Sequence, residues 1–230
     1  MPPSPADSPR ALLLPYALPY LCYVGLGSLF DVRSEPLQLY GARALVVGAA
    51  LLWGMRYWLP LRGPKPLAGS VALGAVAGLA GAAAWIALAA PFAPDAASPW
   101  SDSAWLARAL VATALPPLVE EPLLRGYVLG LVLLVERARH TGAAPGHAFD
   151  RGSLASIAPG QWSWLALGVS SAAFASGHAP SEWLAAGVYG LLMCGLWIAR
   201  GDLVSCVSAH AISNAALAVY VRATGSWVLW

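Results

Sequence analysis

Charged residues are scarce in this chain of 230 residues, since only 10% of them are Asp, Glu, Lys or Arg. Soluble domains carry about 25% charged and about 45–50% apolar residues. Here the apolar share is 59% and the mean hydropathy is +0.64. The composition excludes a water-soluble globule and predicts a polytopic membrane protein. The net charge of +2 also excludes the strongly basic surface of a nucleic-acid-binding protein.

Cysteine is equally scarce, with three residues that each lie in an apolar stretch: Cys22, Cys194 and Cys206. No CxxC pair occurs, so neither a disulfide framework nor a zinc–thiolate site is expected. The first apolar run lacks a small-residue cleavage site as well. The polar segment 1–10 is therefore expected to be a tail that precedes a retained membrane helix.

Long apolar runs predict membrane helices rather than a barrel, whose strands would alternate in polarity. The candidate spans are 11–30, 42–60, 69–92, 104–135, 161–178, 183–199 and 203–222. The 104–135 segment is longer than a bilayer is thick and contains three prolines, so it is expected either to kink or to divide in two. We expect an all-α bundle of about seven to eight membrane helices, with a cleft-like cavity, in one domain over 11–230.

The positive residues predict the orientation in the membrane. If 104–135 crosses once, one face collects seven of them: Arg10, Arg62, Lys65, Arg137, Arg139, Arg151 and Arg200. The other face collects four: Arg33, Arg43, Arg108 and Arg222. The positive-inside rule then places the N-terminus in the cytoplasm, whereas two passes would nearly equalise the faces. The longest connection, 136–160, is rich in Gly, Pro, Ser and charge and is predicted to be a solvated loop, with His140 and His147 exposed in it.

Two carboxylates and one guanidinium stand in the middle of an apolar segment, LPPLVEEPLLRGYV. Charges at mid-bilayer are costly, so these side chains should face the bundle interior or a wet cavity. Glu121 and Arg125 are four residues apart on one helix face and are predicted to form an ion pair. Glu120 points about 100° away and lacks that partner. It is therefore the candidate general base or acid.

Two histidines and an asparagine stand in two further apolar segments. FASGH places Phe174 one turn before His178, and Phe174 is expected to pack beside that ring. His210 and Asn214 are one turn apart in SAHAISN, so both could donate hydrogen bonds to one point, as an oxyanion requires. For His178 and His210 to share a site, the 161–178 helix must start later, tilt steeply or be broken at Gly177, and we predict that it is displaced or broken there.

Each of these residues also allows a separate structural interpretation. Glu120 could hydrogen-bond a neighbouring helix, and either histidine could bond a backbone carbonyl. A single hydrolytic site would instead use four of them together: Glu120, His178, His210 and Asn214. That hypothesis requires the two histidine rings to lie within about 12 Å of each other, because a water-and-oxyanion site spans only a few hydrogen-bond lengths.

The motifs EEPLLR, FASGH and HAISN follow one another in the order EExxxR, FxxxH, HxxxN. This order resembles the CPBP family, also called the Abi or CAAX-protease family of intramembrane endopeptidases, which includes the type II CAAX prenyl endopeptidase. The stretch GLWIARGDLVSCVSAHAISN also looks like this family. The resemblance covers a core of about 105–222, whereas the first hundred residues match only as generic membrane spans.

The resemblance implies a role for each motif residue. Glu120 and His178 would hold and activate the attacking water. His210 and Asn214 would form the oxyanion hole. The remaining positions are implied as support: Glu121, Arg125 and Phe174.

The same resemblance also implies which cofactor and which substrate to expect. No cofactor is required by a glutamate-dependent reaction, but the family is also described as metal-dependent. A divalent metal such as zinc would then be held by Glu120, His178 and His210, although no HExxH helix is present. The expected substrate is a membrane-anchored peptide or protein, prenylated or carrying a C-terminal sorting signal. The compact size and the Trp-rich composition favour a bacterial inner-membrane protein.

Two other classes remain open for the sequence. The first is a catalytically silent membrane scaffold or bacteriocin-immunity-type protein of the same fold. The second is a proton-coupled transporter, because Glu and His chains in membranes also relay protons. The sequence shows no inverted repeat with interrupted helices in corresponding halves, which disfavours the transporter.

Overall fold

The computed structural model describes residues 8–93 and 97–230. Most of the predicted polar tail, residues 1–7, lies outside the described residues. The described part is helical and contains no β-strand. Its eight continuous helices are α1 (Pro9–Leu26), α2 (Pro36–Tyr57), α3 (Leu67–Phe92), α4 (102–140), α5 (Pro145–Arg151), α6 (Trp164–Ser176), α7 (Pro180–Arg200) and α8 (Leu203–Thr224).

Each of the seven predicted spans corresponds to a helix, with boundaries that differ by a few residues. Four helices are long and apolar enough to cross a membrane, namely α2, α3, α7 and α8. The prediction for 161–178 is too long, because α6 has only 13 residues. At 1.5 Å per residue α6 is about 20 Å long, shorter than the hydrocarbon core of about 30 Å.

The fourth helix is continuous rather than divided in two. It is α-helical over Asp102–Glu121, π-helical over Pro122–Val128 and α-helical again over Leu129–His140. Pro122 lacks an N–H and crowds the preceding turn, and the chain accommodates it by a local π-helical widening. The whole helix is about 60 Å long, more than the thickness of about 40–45 Å that includes the headgroups.

The prediction that 136–160 is a solvated loop is wrong over part of its length. The helix α4 continues to His140, and α5 occupies a further seven residues from Pro145. Proline is well suited to the first turn of a helix, because the N–H that it lacks would be unpaired there. His140 and His147 are exposed, as predicted.

Ion pairs and one hydrogen bond show which helix ends and loops lie together at each end of the bundle. At one end, Arg10 at the start of α1 lies 2.6 Å from Asp150 in α5. The side chain of Arg200, at the end of α7, bonds the loop before α3 at the same end. At the other end, Arg222 of α8 lies 2.6 Å from Asp102 at the start of α4. These groupings are the ones expected if α4 crosses the bundle once.

Glycines bring α3 and α8 into close contact. A Cβ atom on Gly74 would lie 2.6 Å from the Ser205 carbonyl oxygen, and one on Gly78 would lie 2.5 Å from that of Ala209. Small residues permit this approach between membrane helices. The contact positions the part of α8 that carries His210, the neighbour of Ala209.

Replacing Gly78 by alanine should separate these helices and lower the free energy of unfolding by about 1–3 kcal/mol, the usual cost of overpacking. Denaturation in detergent micelles measures the change. Gly187→Ala in α7 is the matched control, because its Cβ would meet no atom within 4 Å. Equal stability of the two variants would contradict the close packing of α3 on α8.

Candidate active site

A cavity of about 240 Å³ lies inside the bundle. All four residues predicted for the hydrolytic site line it, namely Glu120, His178, His210 and Asn214. A second cavity, of about 250 Å³, is lined by Glu120, His178 and Phe174 among others. Glu120 and His178 therefore stand between the two cavities.

A buried ion pair fixes the orientation of His210. Arg125 Nη1 lies 3.3 Å from Glu121 Oε2, and neither side chain has any exposed surface. The predicted pair is confirmed and extends to two other helices. The Arg125 Nη2 group donates to the Gly190 carbonyl in α7 at 3.0 Å, and the His210 Nδ1 group in α8 donates to Glu121 Oε1 at 2.8 Å.

The bond to Glu121 determines what the other nitrogen of His210 can do. Arg125 is always charged, so Glu121 is taken as an ionised acceptor, and the proton of His210 is then on Nδ1. In the neutral ring, Nε2 can only accept a hydrogen bond. His210 can donate from Nε2 only as an imidazolium, a condition that the spacing HxxxN did not reveal.

His178 lies just beyond the C-terminus of α6, which ends at Ser176 with Gly177 as its cap. Of the two predicted alternatives, a displaced or a broken helix, the structure shows a helix that ends at its Gly177 cap. His178 is partly exposed and lines the cavity. Its Nδ1 is 3.0 Å from the Phe174 carbonyl oxygen. A carbonyl only accepts, so Nδ1 carries a proton, and in the neutral ring Nε2 is then an acceptor.

Phe174 packs between the two histidines and is 3% exposed. Its ring centroid is 4.7 Å from that of His178 and 5.9 Å from that of His210. The centroids of His178 and His210 cannot be farther apart than the sum of these two distances, which is less than about 12 Å. The two rings therefore meet the spatial condition for a common site. On its other side, His178 packs against Trp85 of α3, with centroids 5.1 Å apart.

Tyr189 is a site residue that the sequence analysis missed. Its ring is 5.7 Å from His210, and its hydroxyl donates to Ser213 Oγ at 2.9 Å. Ser213 in turn donates to the Gly78 carbonyl at 2.7 Å. A tyrosine hydroxyl inside an apolar span needs a partner, and this signal could have marked Tyr189. It could not have shown that the ring supports His210.

Asn214 is fastened to α4 by a bond that a proline makes available. Its Nδ2 group donates to the Ala112 carbonyl at 2.7 Å. Pro116, four residues further on, has no N–H, so that carbonyl lacks its helical donor. One of the two N–H groups of Asn214 is therefore engaged, and one remains for another acceptor. The expectation that His210 and Asn214 simply point at one spot needs this correction.

Glu120 contrasts with its neighbour Glu121. It forms no ion pair or hydrogen bond with any residue in 8–93 or 97–230, although it lines both cavities. Both oxygens of its carboxylate are therefore available to a molecule in the cavity.

A metal ion would require a closer set of ligands. The bonded Nδ1 atoms of His178 and His210 leave Nε2 available on each ring, as metal-binding histidines require. However, no three His, Cys, Asp or Glu side chains of the described residues lie close enough to hold one ion. Glu120, His178 and His210 therefore do not fit a zinc site in this arrangement.

Apolar helices that enclose a carboxylate and two histidines in a cavity define a polytopic helical membrane protein with an internal acid–histidine site. The model of the family described as Type II CAAX prenyl endopeptidase Rce1-like matches residues 102–216, and the chain belongs to this family. The matched range contains all of the motif residues named above. No curated protein and no solved structure matches the chain. Membership implies a protease that acts on peptide or protein substrates in membranes.

Proposed function

We propose that the protein is an intramembrane endopeptidase that hydrolyses a peptide bond of a membrane-anchored or lipidated substrate with an activated water. One observation carries the proposal. The Glu120 carboxylate, without a partner among the described residues, faces the same cavity as His178, whose Nε2 is an acceptor in the neutral ring. Family membership supports a peptide or protein substrate.

The first step uses two acceptors on one water molecule. A water that donates one hydrogen to Glu120 and the other to His178 Nε2 directs its lone pair toward a third point. A scissile carbonyl placed there is attacked as Glu120 takes the proton, in the role of general base. The C–O bond forms while the carbonyl π electrons move onto the oxygen, which becomes an oxyanion.

The second step needs hydrogen-bond donors at that oxyanion. His210, as an imidazolium, donates from Nε2, and Asn214 donates from the N–H that Ala112 does not use. Glu121 holds the His210 ring at the required angle. Glu120 then returns its proton to the leaving nitrogen as the C–N bond breaks. The products are one carboxyl group and one amine.

The test is cleavage of membrane-anchored peptides, lipidated and unlipidated, by the purified protein in liposomes, with products identified by mass spectrometry. Wild type should cleave, and His178→Ala should lose about 10²–10⁴-fold of the rate, the usual contribution of acid–base groups. His147→Ala is the matched control, because His147 is exposed and lies outside both cavities. A chelator should leave the rate unchanged.

Three results would contradict this function or its mechanism. Folded wild type that cleaves no peptide would favour the silent-scaffold class, and equal rates for His178→Ala and wild type would remove the histidine from the reaction. Loss of cleavage with chelator would assign the water to a metal instead of Glu120.

We further propose that the protein lies in a bacterial inner membrane with its N-terminus in the cytoplasm. The contact between Arg10 and Asp150 supports this orientation, because it groups the positively charged segment 137–151 with the N-terminal end of α1. That end of the bundle then carries the larger share of Lys and Arg, and positive residues are enriched on the cytoplasmic side.

A further inference from the structure

The cavity extends along one face of α4 to an arginine. Arg108, Ala112, Pro116 and Glu120 follow one another at four-residue intervals, and all four line the cavity. Arg108 and Glu120 are separated by about 18 Å of helix, at 1.5 Å per residue. The candidate base thus stands toward one end of the cavity and a guanidinium toward the other.

Two tryptophans hold the Arg108 guanidinium. Its central carbon lies 5.2 Å from the Trp100 ring centre and 4.6 Å from the Trp230 ring centre. Cation–π contacts of this kind restrain a guanidinium without using its N–H groups as hydrogen-bond donors. The planar fork of N–H groups matches a planar anion.

Arg108 differs from its neighbours in having no polar partner among the described residues. At the same end of the bundle, Arg33 donates to the Ser98 carbonyl at 3.2 Å, Arg43 donates to the Tyr23 carbonyl at 3.1 Å, and Arg222 pairs with an aspartate. Within 8–93 and 97–230 no hydrogen bond or ion pair involves Arg108, although it is only partly exposed. A guanidinium forms strong paired hydrogen bonds with carboxylate and with phosphate groups, and the carboxylate is the one of these two groups that every peptide carries.

We propose that Arg108 binds a carboxylate of the substrate and thereby selects peptides that carry one a few residues from the scissile bond. The inference rests on the proposed function, since it takes Glu120 as the position of the reacting water. An extended peptide spans 3.3–3.6 Å per residue, so a separation of about 18 Å corresponds to about five residues or fewer. The carboxylate is either the C-terminus of the peptide or an acidic side chain.

The experiment compares three versions of one peptide that wild type cleaves in liposomes. The first ends in a free carboxylate within five residues of the cleaved bond, the second ends in an amide, and the third ends in an amide but carries Asp at the last position. We expect wild type to cleave the first about 10- to 100-fold better than the second in kcat/KM, mainly through KM, as a charged hydrogen bond of about 1.5–3 kcal/mol implies. Efficient cleavage of the third peptide identifies an acidic side chain as sufficient, and poor cleavage identifies the C-terminus.

Arg108→Gln should abolish this preference by lowering cleavage of the acid peptide to the level of the amide. Arg33→Gln is the matched control, because Arg33 also stacks on Trp100, at 5.2 Å, but does not line the cavity. It should behave as wild type. Should Arg108→Gln fail to fold, Arg108→Lys should keep part of the preference, since it retains the charge and loses the planar fork.

The outcomes separate this inference from the function on which it rests. Equal cleavage of the acid and amide peptides by wild type would overturn the carboxylate site and leave the endopeptidase intact. A preference that persists in Arg108→Gln would also overturn it, by assigning the carboxylate to another residue. Absence of cleavage of every peptide by wild type would overturn both.

Discussion

Replacing Glu120 by glutamine should lower the rate of peptide cleavage by about 10²–10⁴-fold, the range expected for loss of a general base. Glutamine has nearly the same size and still reaches the water, but its amide cannot take up the proton. Fold stability should not fall with the rate. The substitution breaks no bond to a described residue and removes a charge from the interior, so the free energy of unfolding should be unchanged or higher.

Cleavage rates measured in liposomes and free energies of unfolding measured in detergent micelles test these two expectations, a lower rate without a loss of stability. Glu35→Gln is the matched control, because Glu35 lies at the start of α2, outside both cavities, and should keep the wild-type rate. Full activity of a folded Glu120→Gln protein would contradict the role of base. A clear loss of stability with the loss of rate would indicate that Glu120 is a structural residue.

The sequence predicted what depends on local geometry. The ion pair between Glu121 and Arg125 follows from their spacing of four residues on a helix, and it forms as expected. The contact between Glu121 and His210 joins residues that are 89 positions apart. It depends on how α4 and α8 pack, which the spacing within either motif does not contain.

The position of His178 shows the limit of hydropathy. The apolar run 161–178 is long enough to suggest a full span, but α6 begins at Trp164 and ends at Ser176. Gly177 could be identified from the sequence as a helix end. The position of that end relative to α8 depends on how the whole bundle packs, and this packing brings His178 to the same cavity as His210.

The hydrogen bond of Asn214 shows that the sequence can predict a free backbone acceptor without predicting which group donates to it. Any proline in a helix leaves a carbonyl four residues earlier without its usual donor, so Pro116 predicts an unsatisfied Ala112 carbonyl. Nothing in the sequence indicates that a side chain 102 residues away donates to it. The bond also reduces the donors that Asn214 can offer a substrate, which a motif match alone does not reveal.

Replacing Glu121 by leucine should lower the free energy of unfolding by about 3–5 kcal/mol, because it leaves the other charge of a buried pair without its partner. Arg125 would stay inside the bundle, where its side chain has 0% exposure and where the Gly190 carbonyl would be its remaining hydrogen-bond acceptor among the described residues. His210 would lose its acceptor at the same time. We therefore expect cleavage to fall as well, even under conditions in which the variant remains folded.

The double variant Glu121→Leu/Arg125→Met distinguishes the two effects. Apolar replacement of a whole buried pair is often neutral or stabilising, so the double variant should recover much of the lost stability. It should not recover cleavage, because the His210 ring still lacks the carboxylate that orients it.

Arg222→Gln is the control for an exposed pair, whose side chains are 49% and 82% exposed. This substitution should lower the free energy of unfolding by about 0–1 kcal/mol. A Glu121→Leu protein as stable as this control would contradict the role of the buried pair, and a double variant that cleaves at the wild-type rate would remove Glu121 from the positioning of His210.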